Sequence, residues 1–147
     1  TENVAAIAGF GAAAELALLR LDQMPRLAAR RDAVEAEIRT LCPEAQVWGC
    51  GAPRVGPVSC IGMPGVPADT QLMAFDLAGV AVSAGAACSS GKVAASHVLT
   101  AMGAGTAAGE AIRLSFGPTT PDDALDRFVA VWRQLRLRKS GRAGRAA

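Results

Sequence analysis

The run AIRLSF, residues 111–116, alternates without a break, with Ile112, Leu114 and Phe116 on one side and Arg113 and Ser115 on the other. A period of two marks a strand that buries one face only. The chain therefore has to build a sheet with one side packed and the other carrying a permanent charge. The cover for such a sheet must come from helices, and the rest of the sequence supplies them.

Asn3 caps a first helix through Leu19, which includes the Ala-rich stretch AAAELALLR, and Pro25 then interrupts or kinks the chain. A second helix follows to Leu41. Its apolar residues Leu27, Val34, Ile38 and Leu41 share a face, and Arg31, Glu35 and Arg39 are expected as exposed ion pairs four residues apart. AQVWG and PVSCIGM read as strands separated by the turn-rich CGAPRVG. ADTQLMAFDLAG reads as a helix closed by Gly79, VAVS as a short strand, and Ser96 as the cap of a short helix, HVLTAM, that stops at Gly103. For the last helix, Thr120 is the expected N-cap with Pro121 at its first position. Asp122 and Asp123 sit at the positive end of the dipole, and Leu125, Phe128, Val129, Trp132 and Leu135 form the buried stripe. The order implies an α+β fold, a small mixed or antiparallel sheet covered by helices. It comprises a helical segment over residues 1–41, an α+β unit over 42–138 and a basic, frayed tail over 139–147.

The 147 residues suit one domain, with no internal repeat. Hydrophobic residues make up 51% of the chain and aromatics only 4%, so the core draws on Ala, Leu and Val. A net charge of +2 creates no field of the kind that attracts nucleic acid. No apolar run approaches the roughly 20 residues of a membrane span, and the opening TENVAAIAGF has neither the charged nor the apolar region of a signal peptide. The opening also lacks an initiator Met, as expected of a processed chain or a piece of a longer one. Cys42, Cys50, Cys60 and Cys88 form no CxxC pair, which speaks against zinc and for free thiols in a reducing cytoplasm.

Cys88 is the residue whose setting is unusual. In VSAGAACSSGKV it follows a short strand and is flanked by Gly, Ala and Ser, so bulk around the thiol is low and the backbone permissive. Lys92 and the amides ahead of the next helix favour the reactive thiolate. Arg113 offers the planar fork that holds a carboxylate in a fixed orientation. His97, the only histidine, stands at a helix start, where a structural or solvated role is the plain reading.

Taken together, VSAGAACSSGKVAASHVLTAMG and AIRLSFGPTTPDDALDRF resemble the C-terminal part of the cysteine desulfurases, pyridoxal-phosphate enzymes of the class V aminotransferase family with the type I fold. TENVAAIAGFGAAAE is similar to the Gly-Thr-x-Asn segment that opens this region in the family, and the likeness runs to about Leu135. The resemblance implies the small C-terminal domain of that fold and a reaction that takes sulfur from L-cysteine, leaving alanine and a persulfide. It implies Cys88 as the nucleophile that attacks the substrate sulfur and then, on an extended loop, delivers the persulfide to an acceptor protein. It also implies Arg113 as the group that binds the substrate α-carboxylate, and Thr1 as the group that reaches the cofactor phosphate across a homodimer interface. The SAGAACSSGK form resembles the group linked to iron–sulfur assembly and tRNA thiolation.

The chain also departs from the family pattern. It has no Ser-x-His-Lys motif for the cofactor lysine, and Lys92 and Lys139 stand in other contexts. The residues that stack on and pair with the pyridine ring, and the family's upstream histidine, are missing too. In RVGPVSCIG, Pro57 and Cys60 stand where relatives usually have asparagines. The resemblance thus implies a portion of a desulfurase that is inactive alone. The competing readings are another class V enzyme such as a selenocysteine lyase, and a non-enzymatic persulfide carrier or binding module.

Overall fold

The computed structural model describes residues 1–85 and 95–143. Helix α1 (Val4–Leu19) starts where Asn3 Oδ1 accepts the Ala6 N–H, as its sequence predicts. A short 3₁₀ turn, Leu21–Gln23, leads to α2 (Met24–Leu41), which has Pro25 in its first turn; the two helices are bent 51° from each other. The fixed φ of proline suits a helix start and leaves no amide unpaired there.

Four strands follow in an antiparallel sheet of order β1-β2-β4-β3: β1 (Gln46–Trp48), β2 (Val58–Gly62), β3 (Ser83–Ala84) and β4 (Ala111–Ser115). Between β2 and β3 lies α3 (Ala68–Leu77). It ends as Gly79, at φ +70°, donates to the Asp76 carbonyl while Val80 donates to that of Phe75. This is the paired closure that a left-handed glycine after a helix permits. It consumes the Val80 amide, so β3 begins at Ser83 and not at Val80 as the sequence suggests. Helix α4 (His97–Ala101) is capped by Ser96 Oγ on the Leu99 amide, and a 3₁₀ turn at Gly105–Gly109 leads into β4.

One face of the sheet is packed by α2, α3 and α5 (Asp123–Ala143). Ile38, Ile61, Phe75, Ile112, Phe128 and Trp132 are all fully buried there, and Phe75 stacks on Phe128 at 4.9 Å. Each such side chain contributes about 1.5–3 kcal/mol through removal from water. The predicted alternation of β4 holds: Ile112 and Leu114 face this core, whereas Arg113 and Ser115 are exposed on the other face.

Three expectations are corrected. Thr120 does not cap α5. Its hydroxyl accepts from the Gly117 amide and closes the preceding turn, and the helix begins three residues later. The helix also runs to Ala143, five residues into the segment expected to fray, with Lys139 tied to the Pro64 carbonyl. Finally, Arg31 and Glu35 are not an exposed pair: both are buried, at 8% and 2% exposure. Glu35 receives Arg54 through both carboxylate oxygens, at 2.7 and 3.0 Å, and the Ser59 hydroxyl at 2.6 Å. Arg31 holds the Val55 carbonyl and Asp32. The loop carrying Arg54 lies close on α2 because residue 56 is glycine; a Cβ there would stand 2.8 Å from the Met24 carbonyl oxygen.

Burial pushes the Glu35 carboxyl up, but the hydrogen bonds from Arg54 and Ser59 and the charges of Arg54 and Arg31 outweigh it and hold the group below its ordinary 4.5. A carboxyl lowered in the folded state stabilises the fold above its unfolded pKa, and that contribution is lost as pH falls through the folded value. Chemical denaturation midpoints should therefore hold from neutral pH down to about pH 5 and fall below it. Glu35→Gln should flatten that acid limb, and Glu35→Ala should cost about 3–5 kcal/mol at neutral pH by leaving buried cations unpaired.

Candidate active site

The exposed face of the sheet is a mosaic of cover and opening. α4 and the 3₁₀ turn pack Leu99 and Ala108 over Ala111, with Trp48, Cys60 and Ala104 at the edge of that small cluster. Beyond that cluster, among the described residues, Arg113 is exposed on the face. The strand registers set its neighbours: Cys60 of β2 is directly opposite Arg113 on one side and Ser83 of β3 on the other. Trp48 of β1 is opposite Cys60. Directly opposed residues of antiparallel strands project from the same face with Cβ atoms about 4.5–5.5 Å apart. Trp48, Cys60, Arg113 and Ser83 thus form one row across all four strands.

That register is held at both ends. The Phe116 amide donates to the Pro57 carbonyl, and the Met63 amide to that of Glu110. Gln71, fully buried on α3, donates to the carbonyls of Val66 and Glu110, and the Glu110 carboxylate receives the Gly65 amide. Pro57, one of the departures from the family pattern, thus keeps a structural role through its carbonyl.

Cys60 is a partly exposed thiol, and as one of four cysteines it gains no special role from composition alone. The signal was present: in PVSCIGM, Ser59 and Ile61 share the core side, so the residue between them must share the side of Arg113 once the strands pair antiparallel. Burial pushes the Cys60 thiol above its ordinary 9.0, and the nearby Arg113 charge pulls it back. Of the other thiols, Cys42 is buried and Cys50 exposed, both free.

The other predicted groups stand as follows. Cys88 and Lys92 lie outside the described residues. Thr1 is exposed just ahead of α1, a helix that buries none of its residues. His97 is exposed on α4. Lys139 is occupied by the Pro64 carbonyl on the helical side of the sheet. Among the described residues, Ser83 is the hydroxyl paired with Arg113, and Lys139 lies on the other side of the sheet. Among them no group of acidic, His and Cys side chains could hold a metal ion. A groove of about 1080 Å³ between α3 and α5, with Met73, Leu77 and Leu135 in its walls, lies on the helical side, away from Arg113. No single described helix is long and apolar enough to cross a membrane.

The antiparallel sheet packed by three helices on one face thus carries an arginine on the other, and its edge strand β3 runs on into the sequence that contains Cys88. The chain belongs to the class V aminotransferase family, whose model matches residues 1–128. It is similar to cysteine desulfurases of Cereibacter sphaeroides, at 40% identity over 132 residues, and of Klebsiella pneumoniae, at 36% over 131 residues. These matches take in 89% and 88% of the chain. Among solved structures it superposes on a NifS-like protein from Rickettsia africae with a TM-score of 0.78 and 29% identity, over 91% of the chain and 35% of that structure. The chain spans about a third of the length of the curated relatives it matches, 34% and 33% for the two desulfurases above. The antiparallel α+β architecture agrees with these neighbours, and the family in general depends on pyridoxal phosphate.

The closeness of Cys60 and Arg113 has a measurable consequence. Arg113→Ala should move the Cys60 titration to higher pH, because the cation that favours the thiolate is gone. The check is the pH profile of Cys60 alkylation by iodoacetamide, read by peptide mass; an unchanged profile would mean that the two side chains do not interact.

Proposed function

We propose that this chain is the part of a cysteine desulfurase that binds the substrate carboxylate and carries the abstracted sulfur. The observation that supports it most is the pairing of Arg113 with Ser83, because β3 runs on into the segment that contains Cys88. Cys88 is five residues beyond Ser83, so covalent connectivity alone keeps it within about 17 Å of the strand that flanks Arg113. Arg113 receives the α-carboxylate of L-cysteine through its guanidinium, and the open sheet face leaves room for that ligand. The sulfur leaves the substrate Cβ for the Cys88 thiolate, giving a persulfide, and alanine is released. Pyridoxal phosphate, when bound, supplies the electron sink for that cleavage.

In this reading the cofactor lysine comes from outside the present chain, and Thr1 reaches the cofactor phosphate in a homodimer. The enzyme works in the cytoplasm and passes its sulfur to an acceptor protein for iron–sulfur assembly or tRNA thiolation. A second reading, a non-enzymatic persulfide carrier, draws on one observation: Lys139 is engaged by Pro64 and so is unsuited to hold a cofactor.

Three outcomes test the proposal. The 147-residue chain alone should show no pyridoxal-phosphate absorbance band and release no alanine from L-cysteine; turnover by the pure chain would overturn the division of labour. Mixed anaerobically with the large domain of a related desulfurase, pyridoxal phosphate and L-cysteine, the chain should gain persulfide at Cys88. That label should vanish in Cys88→Ala. Arg113→Ala should lower kcat/KM by about 30-fold or more, the loss of a charge-assisted carboxylate contact. Persulfide spread evenly over Cys42, Cys50 and Cys60 would contradict the assignment.

A further inference from the structure

We infer that the Trp48–Cys60–Arg113–Ser83 row is a covalent capture site for carboxylate-bearing disulfides, with Arg113 holding the carboxylate and Cys60 taking the thiol half. The inference rests on Arg113 as a carboxylate-binding group, but it does not involve Cys88. Three observations converge on it. Cys60 and Arg113 are direct cross-strand partners on the same face, with Cys60 half-buried at the edge of the α4 cluster, so a small molecule whose carboxylate rests on the guanidinium can bring atoms a few bonds away to the thiol. Arg113 is exposed and makes no ion pair among the described residues, so its charge is available to a ligand. The row is bounded by Trp48 on the Cys60 side and by the Ser83 hydroxyl on the other, an apolar wall and a polar one.

The chemistry balances as thiol–disulfide exchange. Cys60 loses its proton to solvent, its thiolate attacks one sulfur of the disulfide, and the S–S bond breaks. The departing half leaves as a thiolate and is protonated. Cys60 is oxidised to a mixed disulfide while the reagent is reduced to a thiol. The bound half then occupies Arg113, so the modification blocks the carboxylate site until a reducing thiol reverses it.

The test uses the full chain carrying Cys88→Ala, which keeps a second thiol from reporting on the same arginine. Dithiodipropionate, which carries carboxylates, and the neutral hydroxyethyl disulfide are reacted at low salt, and adducts at Cys60 and Cys50 are quantified by peptide mass. Cys50 is the internal reference: it is exposed, and the nearby Arg54 charge is matched by Glu35. The ratio of the two reagents at one thiol cancels that thiol's own reactivity. The anionic reagent should be favoured at Cys60 over Cys50 by about fivefold or more, the size of one unscreened charge contact at short range. The preference should disappear in Arg113→Gln and shrink as salt is raised. Equal ratios at the two thiols, a preference that survives Arg113→Gln, or no adduct at Cys60 with either reagent would each overturn the inference. Persulfide formation at Cys88 is scored separately, so a failure at Cys60 with persulfide intact refutes only this inference. Capture at Cys60 without any persulfide at Cys88 refutes only the desulfurase reading.

Discussion

The antiparallel pairing of β2 with β4 is the constraint on which the rest depends. Five consecutive residue pairs fix it, from Val58 with Ser115 to Gly62 with Ala111. Because side chains alternate, a slip of one residue would turn Arg113 into the core and expose Ile112 and Leu114. The burial of those two side chains therefore also fixes the direction of the arginine. Hydrogen bonds just beyond each end of the pairing, at Pro57–Phe116 and Met63–Glu110, resist such a slip from the backbone side.

A second constraint attaches the long helix to that sheet. Glu35 of α2 accepts from Arg54 and from Ser59 of β2, so a buried carboxylate links helix, loop and strand. Buried ion pairs are costly to desolvate and gain only where every lone pair finds a donor. Here the fork of Arg54 and the Ser59 hydroxyl satisfy the carboxylate together, and Arg31 stands 3.8 Å from the same oxygen. Ser59 adjoins Cys60, so the network also steadies the strand that forms one wall of the Arg113 row.

Much of this was legible in the sequence, for reasons that are local. The period of two in AIRLSF states which side of a strand is buried. Gly79 announces a left-handed helix end, and Asn3 and Ser96 announce helix starts, because each effect acts within a few residues. What escaped the sequence depends on partners distant along the chain. Arg31 and Glu35 have the spacing of a solvated pair, and only the approach of Arg54 and Ser59 buries them. Thr120 has the composition of a cap, but the Gly117 amide claims its hydroxyl first. PVSCIGM shows which side of its strand Cys60 takes, but its pairing with Arg113 follows only from the register of β2 with β4. The family resemblance, carried by the Cys88 segment and the β4 strand, was legible and is matched by the relatives; the geometry around Cys88 lies outside the described residues.

The proposed carboxylate site is on the free face of the sheet, at Arg113, and not in the groove between α3 and α5. A titration of the 147-residue chain with L-alanine, followed by NMR of the arginine Nε–H and backbone amide signals, tests that placement most directly. The account predicts saturable shifts at Arg113 Nε and at the amides of Cys60 and Ser83, all lost in Arg113→Gln. Shifts confined to residues such as Met73, Leu77 and Arg138 in the α3–α5 groove would contradict it.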